Sequence, residues 1–478
     1  MVKKKLKRES KKKSMKKPRD LTEGNIPKNL LVLAFPIIIG MILHNLFNIV
    51  DTFYVAKLGS DALAALSLSF PVFVFMIALG TGLTIGVSSL VARTVGSKSK
   101  RNIKNKLISI TENGFIVAFF IYVFFAIVGI ATVEPLFTFM GASASVLPLI
   151  KQYMIVIYLG NFIMFFGMVA GGLLYGSGNT LFPALGLVVS TVVNILIDPL
   201  FIFGGLGIPA MGVMGAAIAT IIARFIGMLF VFGYLFSGKA IVKLQFRKFL
   251  YNAKIMKEIL VVGIPASLSQ MLSSIGLFFL NKIVAVFGTA AIAAFGLGYK
   301  FDLVAMLPAM GIAIATITIV GQMVGAKKTQ KAKIATWTAS IMVFIFMETI
   351  GLLLFLFPEF FMGIFTKDAE VIMIGIKYLK IVALSYGFIG ITMICSSAFQ
   401  AIGKAMPALF LVILRLVIVA IPIGYGLSLI LGWGVNGVWY GIVLANIAVG
   451  LSAPYWFKKM IDKFNPKKFK KSDLQGLM

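Results

Sequence analysis

The sequence predicts an all-α polytopic membrane protein with twelve transmembrane helices in two pseudo-symmetric six-helix lobes. Three observations lead there. Of 478 residues, 60% are hydrophobic and only 13% charged, a balance that no water-soluble fold of this size requires. Apolar runs of about 20 residues, the length that crosses a bilayer as a helix, occur twelve times. The pattern of the first six runs returns in the last six at a nearly fixed offset.

The spans are bounded by charged or glycine-containing loops. The first, 29–55, ends at Lys57, and the second, 62–92, runs from the Leu58-Gly59 turn to Lys98. The third, 108–133, lies between Lys106 and Glu134; the fourth, 146–174, ends at Gly176-Ser177-Gly178, a tight loop turn. The fifth, 181–203, and the sixth, 212–237, flank a short glycine-rich loop before Lys239. The seventh, 256–286, leads through Phe287-Gly288 into the eighth, 291–324, which stops at Lys327. The ninth, 334–357, lies between Lys333 and Glu359, and the tenth, 370–402, between Asp368 and Lys404. The eleventh, 406–430, and twelfth, 434–457, close the series before Lys458. Backbone groups in lipid must be satisfied within their own segment, and these runs are too long and too uniformly apolar for barrel strands, so each is a helix.

The repeat is parallel. Pro36 matches Pro265, Ala62-Leu63-Ala64-Ala65 matches Ala291-Ile292-Ala293-Ala294, and Val95-Gly96-Ser97-Lys98 matches Val324-Gly325-Ala326-Lys327, all 229 apart. Further on, Pro183-Ala184-Leu185 matches Pro407-Ala408-Leu409, and Gly212 and Gly215 match Gly434 and Gly437, 222 apart. Six spans per repeat keep the topology, which relates the halves by an axis along the membrane normal and places a substrate cavity between them. The expected organisation is a basic cytoplasmic tail over 1–28, a first lobe over 29–237, a cytoplasmic linker over 238–255, a second lobe over 256–457 and a basic tail over 458–478.

The formal net charge of +29 is assigned to loops on one side of the membrane and to the tails, not to nucleic-acid binding. Lys98 to Lys106, Lys239 to Lys257, Lys327 to Lys333 and Lys404 fall on the side of both tails, whereas the other side carries Lys57 and Lys367 beside Asp61, Glu134, Glu359 and Asp368. By the excess of lysine and arginine, the basic side is cytoplasmic, and a multi-pass protein of the cell membrane with both termini inside is expected. The first 28 residues contain no apolar core of a signal peptide.

Carboxylates at membrane depth are costly and mark ion or proton sites. Two stand out, in Asn48-Ile49-Val50-Asp51 of the first span and Asn194-Ile195-Leu196-Ile197-Asp198-Pro199 of the fifth. His44, Asn48 and Asp51 share one helical face, as do Thr191, Asn194 and Asp198. Both acids lie about 8 to 9 Å inside the same end of their spans, with Thr220 of the sixth span close to the level of Asn194. At the aligned positions the second half has Leu280 and Pro422, so the architecture does not need the acids. Two adjacent carboxylates in a poorly hydrated pocket do not both stay ionised cheaply. Such a pair holds a proton near neutral pH or binds Na+ through hard oxygens.

Asp51, Asp198, Asn194, Thr220 and Asn48 are therefore the candidate ion-coupling residues, supported by His44, Thr191, Pro36 and Pro199. The two prolines free a carbonyl each and bend their helices; a packing kink and a moving hinge are both open. His44 is the one histidine, read first as packing and second as a proton relay. Glu348 and Asp302 are secondary candidates for ion or substrate contact, and Arg224 and Arg415 are further embedded charges. One histidine and the single Cys395 build neither a nucleophilic triad nor a disulfide, and no phosphate-binding Gly-x-x-x-x-Gly-Lys-Ser/Thr loop exists. An enzyme is not expected, nor any cofactor beyond the coupling H+ or Na+; the expected partners are a small organic substrate and the bilayer, with the chain a monomer.

With these residues in view, the chain resembles the multidrug and toxic compound extrusion family over about residues 25 to 460, most closely its DinF-like branch with archaeal members. The resemblance rests on Pro36, Asn48 through Phe53, Leu58-Gly59, Gly96, Gly176-Ser177-Gly178, Asn194 through Pro199 and Gly215 through Thr220. It implies a V-shaped pair of six-helix lobes, rocker-type alternating access, a cation site at Asp51, Asn194, Asp198 and Thr220, and bulky cationic or aromatic drugs as substrates. Phe47 stands where close relatives carry tyrosine, and Gly171 where some carry an amide. Ser273 occupies the place of a glutamate used by another branch. The expected function is secondary antiport of organic, often cationic compounds against H+ or Na+. The alternative is a lipid or lipid-linked oligosaccharide flippase of the same superfamily, and a receptor or scaffold is disfavoured because no sizeable soluble domain is present.

Overall fold

The structure, a computed structural model, describes residues 21–97, 100–242 and 251–463, with the backbone alone at 46–49 and 100–102. The outer parts of the expected tails and the middle of the expected linker lie outside the described residues. Among the described residues, twelve helices are long and apolar enough to cross a membrane. In the first half these are α1 (Ile26–Ala56), α2 (Ser60–Gly96), α3 (Lys100–Phe139), α4 (Leu147–Gly176), α5 (Leu181–Phe203) and α6 (Gly212–Phe236). The second half contributes α7 (Ala253–Ala285), α8 (Thr289–Gly325) and α9 (Thr329–Leu356), then a short helix α10 (Pro358–Phe365). The last three spans are α11 (Ala369–Ala401), α12 (Met406–Ile430) and α13 (Val435–Lys463).

The helices outrun the apolar segments where charged turns continue them past the hydrocarbon. Helix α3 starts at Lys100 and ends at Phe139, beyond the expected 108–133 at both ends. Irregularities within spans were not foreseen. Helix α11 is broken by a 3₁₀ turn at Ala383–Ser385, and α12 is π-helical over Leu414–Ala420 and Gly426–Ile430. Helices α1 and α5 run through Pro36 and Pro199. Helix starts are capped conventionally: Asn25 Oδ1 accepts from the Lys28 amide at 3.0 Å, and Asn252 Oδ1 from the Ile255 amide at 3.2 Å.

Two apolar cores form, one per half, and each borrows a piece of the other half. Leu30, Leu33 and Ala34 of α1, with Leu21 before it, are buried in the second core. Reciprocally, Ile255 and Ile259 of α7 are buried in the first. The repeat register relates these two crossings, since Leu30 and Ile259 are 229 apart. The halves also meet along α2 and α8 at the side bearing the termini. A Cβ on Gly96 would lie 2.0 Å from the Gln322 carbonyl oxygen, and one on Gly325 would lie 2.1 Å from that of Arg93. Glycine is required at both, because backbone meets backbone there. Gly178 and Gly403, with φ of 85° and 82°, make the equivalent turns after α4 and α11.

The candidate ion-coupling site

Small residues draw α1, α5 and α6 together. A Cβ on Gly215 of α6 would lie 2.1 Å from the Phe201 carbonyl oxygen of α5. Gly227 sits against the Gly186 carbonyl in the same way, with a Cβ distance of 2.6 Å. On the other flank, Gly40 of α1 rests on the Ala184 backbone at 3.5 Å. Such contacts let membrane helices approach at backbone distance, which brings the polar faces of three helices into one pocket. Helix α4 closes it, with Gly160 packed on Ile221 of α6.

The pocket holds both acids. Asp198 is fully buried, and its Oδ1 accepts from Asn194 Nδ2 at 2.9 Å across one turn of α5. The carboxyl groups of Asp51 and Asp198 adjoin each other, close enough to act on one another directly. Apart from that contact, Asp51 Oδ1 and Asp198 Oδ2 are buried oxygens without a donor. Two bare carboxylates repel, so their contact calls for a proton or a cation between them. Asn194 Oδ1 and Thr191 Oγ1 are further buried oxygens without a partner, and Thr220 is buried on the neighbouring helix α6. The pocket thus holds several buried polar oxygens without a partner.

Of the sequence-derived candidates, Asp51, Asp198 and Asn194 come together at this pocket, and Thr191 and Thr220 are buried on the same pair of helices, α5 and α6. His44 lies below it on α1, within electrostatic reach of Arg224. The side chain of Asn48 lies outside the described residues. Pro199 follows Asp198 at the pocket. Pro36 is remote: 15 residues separate it from Asp51 on α1, about 22 Å of helix, and it lines a cleft with Leu174, Gly178 and Tyr234 near the terminus-bearing face.

The second-half candidates belong to other arrangements. Asp302 accepts from the Tyr378 hydroxyl at 2.6 Å and from the Tyr386 hydroxyl at 2.5 Å, with Arg415 in electrostatic contact. Glu348 Oε1 accepts from the Gly387 amide at 2.9 Å. That amide is freed by the 3₁₀ break before it, so Glu348 supplies the acceptor the interrupted helix lacks. The sequence reading missed Tyr153 of α4, whose ring lies within electrostatic reach of Asp51 and Asp198. It noted Arg224 only as an embedded charge; its position one turn beyond Thr220 was the available signal. Among the described residues, no cluster of three or more His, Cys, Asp or Glu is arranged to hold a metal ion.

The repeated helical fold and the buried polar pocket between its spans define a multi-span membrane transporter. The chain belongs to the MatE family, which matches residues 36–200 and again residues 265–426, one match in each half. It is 27% identical over 452 residues to an FAD transporter of Shewanella oneidensis, covering 94% of this chain and 98% of that protein. It is also 27% identical to a probable multidrug resistance protein NorM of Thermotoga maritima, over 87% of this chain and 89% of that one. Among solved structures it superposes on an outward-facing multidrug resistance MATE family transporter of the MOP superfamily with a TM-score of 0.87, at 30% identity, covering 94% of this chain and 99% of that one. A MOP superfamily transporter of Pyrococcus furiosus, described as having a binding pocket of reverse polarity, gives a TM-score of 0.86 at 30% identity over 95% of this chain and 100% of that chain.

Proposed function

We propose that the chain is a secondary active antiporter that exports organic, often cationic compounds in exchange for H+ or Na+. The reading rests above all on the contact between the Asp51 and Asp198 carboxyl groups in a pocket of unpartnered oxygens. A monovalent cation on this pair relieves their repulsion. Its release separates them and biases two-state packing between the halves. Asn194 and Thr220 orient the acids and supply oxygen, Thr191 and His44 support them, and Pro36 and Pro199 let α1 and α5 bend. The side with the basic loops and both termini is taken as cytoplasmic, and the protein as a monomer of the cell membrane. The motifs around Asp51 and Asp198 support placement in the DinF-like branch.

The multidrug names of several relatives support drug export, and the Shewanella relative adds a flavin dinucleotide to the substrates worth testing. The experiment is efflux from proteoliposomes of a fluorescent organic cation and, separately, of a flavin dinucleotide, under a pH gradient and a sodium gradient imposed in turn. The expected result is efflux that follows one of the two gradients. Efflux that ignores both, from correctly folded protein, overturns the antiport reading and turns the tests to labelled lipids and a flippase.

A further inference from the structure

Arg224 is the charged group beside the acids that the antiport reading leaves without a task. It lies at the centre of α6, 12 residues from Gly212, about 18 Å along the helix. Side chains on a helix tilt toward its N-terminus, which for α6 is the end where Asp51 and Asp198 lie. The guanidinium therefore extends toward the acids. It is over the ring of Phe73 of α2, with Cζ 4.8 Å from the centroid, and it interacts electrostatically with Asp51 and Tyr153. One of its terminal nitrogens, Nη1, is buried with no hydrogen-bond partner. The groups facing it are Asp51 and His44 from α1, Phe73 from α2 and Tyr153 from α4, and Asp51 in turn adjoins Asp198 of α5. A guanidinium keeps its proton in a protein, so this is a permanent positive charge placed beside Asp51, one member of the acid pair.

We propose that Arg224 is the fixed internal cation of this pocket and limits it to one mobile cation per transport cycle. The inference rests on the antiport reading and deepens it. Two ionised carboxylates and one guanidinium carry a net charge of −1, and one proton or one sodium ion brings the pocket to neutrality. Without the arginine, neutrality in the same apolar surroundings takes two.

The repeat supplies an independent observation. Registering Gly212 and Gly215 on Gly434 and Gly437 places Asn446 opposite Arg224. The second half thus lacks the arginine as well as the acids, with Leu280, Pro422 and Asn446 at the three equivalent positions. Asn446 is buried and donates to Ser385 Oγ at 2.9 Å, an ordinary neutral contact. The arginine and the acids are present together or absent together. Around Asp302, by contrast, one carboxylate meets one arginine, Arg415, and two tyrosine donors. That pairing is balanced and calls for no mobile ion.

The test is a null-flux titration in proteoliposomes. A fixed substrate gradient is opposed by a graded pH or sodium gradient until net flux stops, and the balance point gives the number of cations exchanged per substrate. The expected wild-type value is one, for whichever ion drives transport. Arg224→Gln is expected to move it to two, and Arg224→Lys to restore it to one. A purely structural role would change the rate or the yield of folded protein but not the balance point. A wild-type value of two overturns the proposal while leaving antiport standing, as does an Arg224→Gln protein that still exchanges one. If Arg224→Gln does not fold, the wild-type value decides alone. Absence of any gradient-driven flux in wild type overturns the antiport reading itself and this inference with it.

Discussion

Ser89 and Thr318 occupy equivalent positions in the two halves, 229 residues apart, and each reaches across to the other half. Ser89 Oγ donates to the Gln400 carbonyl at 2.5 Å, and Thr318 Oγ1 donates to the Tyr175 carbonyl at 2.8 Å. The acceptors are equivalent too, each three residues before a turn glycine, Gly403 or Gly178. A symmetric pair of hydrogen bonds thus joins the halves beside the close approach of α2 and α8. Such a bond contributes about 1 kcal/mol net. The double variant Ser89→Ala, Thr318→Ala is expected to shift the resting balance between open and closed at this face by roughly tenfold or more. Spin labels on Ser237→Cys and Lys404→Cys, in a Cys395→Ser background, read it as a longer and broader distance distribution.

Gly215 tests the packing that builds the ion pocket. Alanine there puts a Cβ 2.1 Å from the Phe201 carbonyl oxygen, a backbone atom that cannot step aside cheaply. Overpacking of this kind costs on the order of 1 to 3 kcal/mol. Gly215→Ala is expected to lower the melting temperature in detergent and to weaken gradient-driven transport. Gly233→Ala on the same helix, whose Cβ would meet nothing within 4 Å, is expected to do neither.

Asn194→Leu removes the amide that donates to Asp198 Oδ1. A buried hydrogen bond to a carboxyl group contributes roughly 1.5 to 3 kcal/mol when that group is charged. The variant is expected to favour the protonated form of the pair, so that proton-driven transport saturates at about tenfold or more lower proton concentration, whereas sodium-driven transport would lose an oxygen ligand and need more sodium. Dose–response of efflux against pH or sodium measures this directly.

In the second half, Tyr378→Phe and Tyr386→Phe each remove one donor from Asp302. Leaving a buried acid short of a partner costs about 1 to 3 kcal/mol, so both variants are expected to lose thermal stability. The driving ion and its stoichiometry are expected to stay the same, because this cluster lies apart from Asp51 and Asp198.

The number and order of the spans were legible because apolar length alone determines what crosses a bilayer, and the repeat was legible because glycine and proline positions mark backbone contacts that both halves make. The facing of Asp51 and Asp198 was legible from equal depth and one-sided polar stripes. Other features were not, for physical reasons. That Leu30 and Ile259 each lie in the core of the opposite half depends on how the halves dock, which no local pattern encodes. The 3₁₀ break at Ala383–Ser385 carries no proline and its partner, Glu348, comes from a different span. Tyr153 and Arg224 enter the pocket through side-chain reach from α4 and α6, and a sequence gives depth more readily than it gives neighbours.

The measurement that bears most directly on the pair is Asp198→Asn assayed in two modes with the same proteoliposomes. Substrate-for-substrate exchange across the membrane needs binding and conformational change but no coupling ion, whereas accumulation against a gradient needs all three. The account predicts that exchange persists in Asp198→Asn while gradient-driven transport falls to background. Gradient-driven transport at the wild-type level in that variant would contradict it.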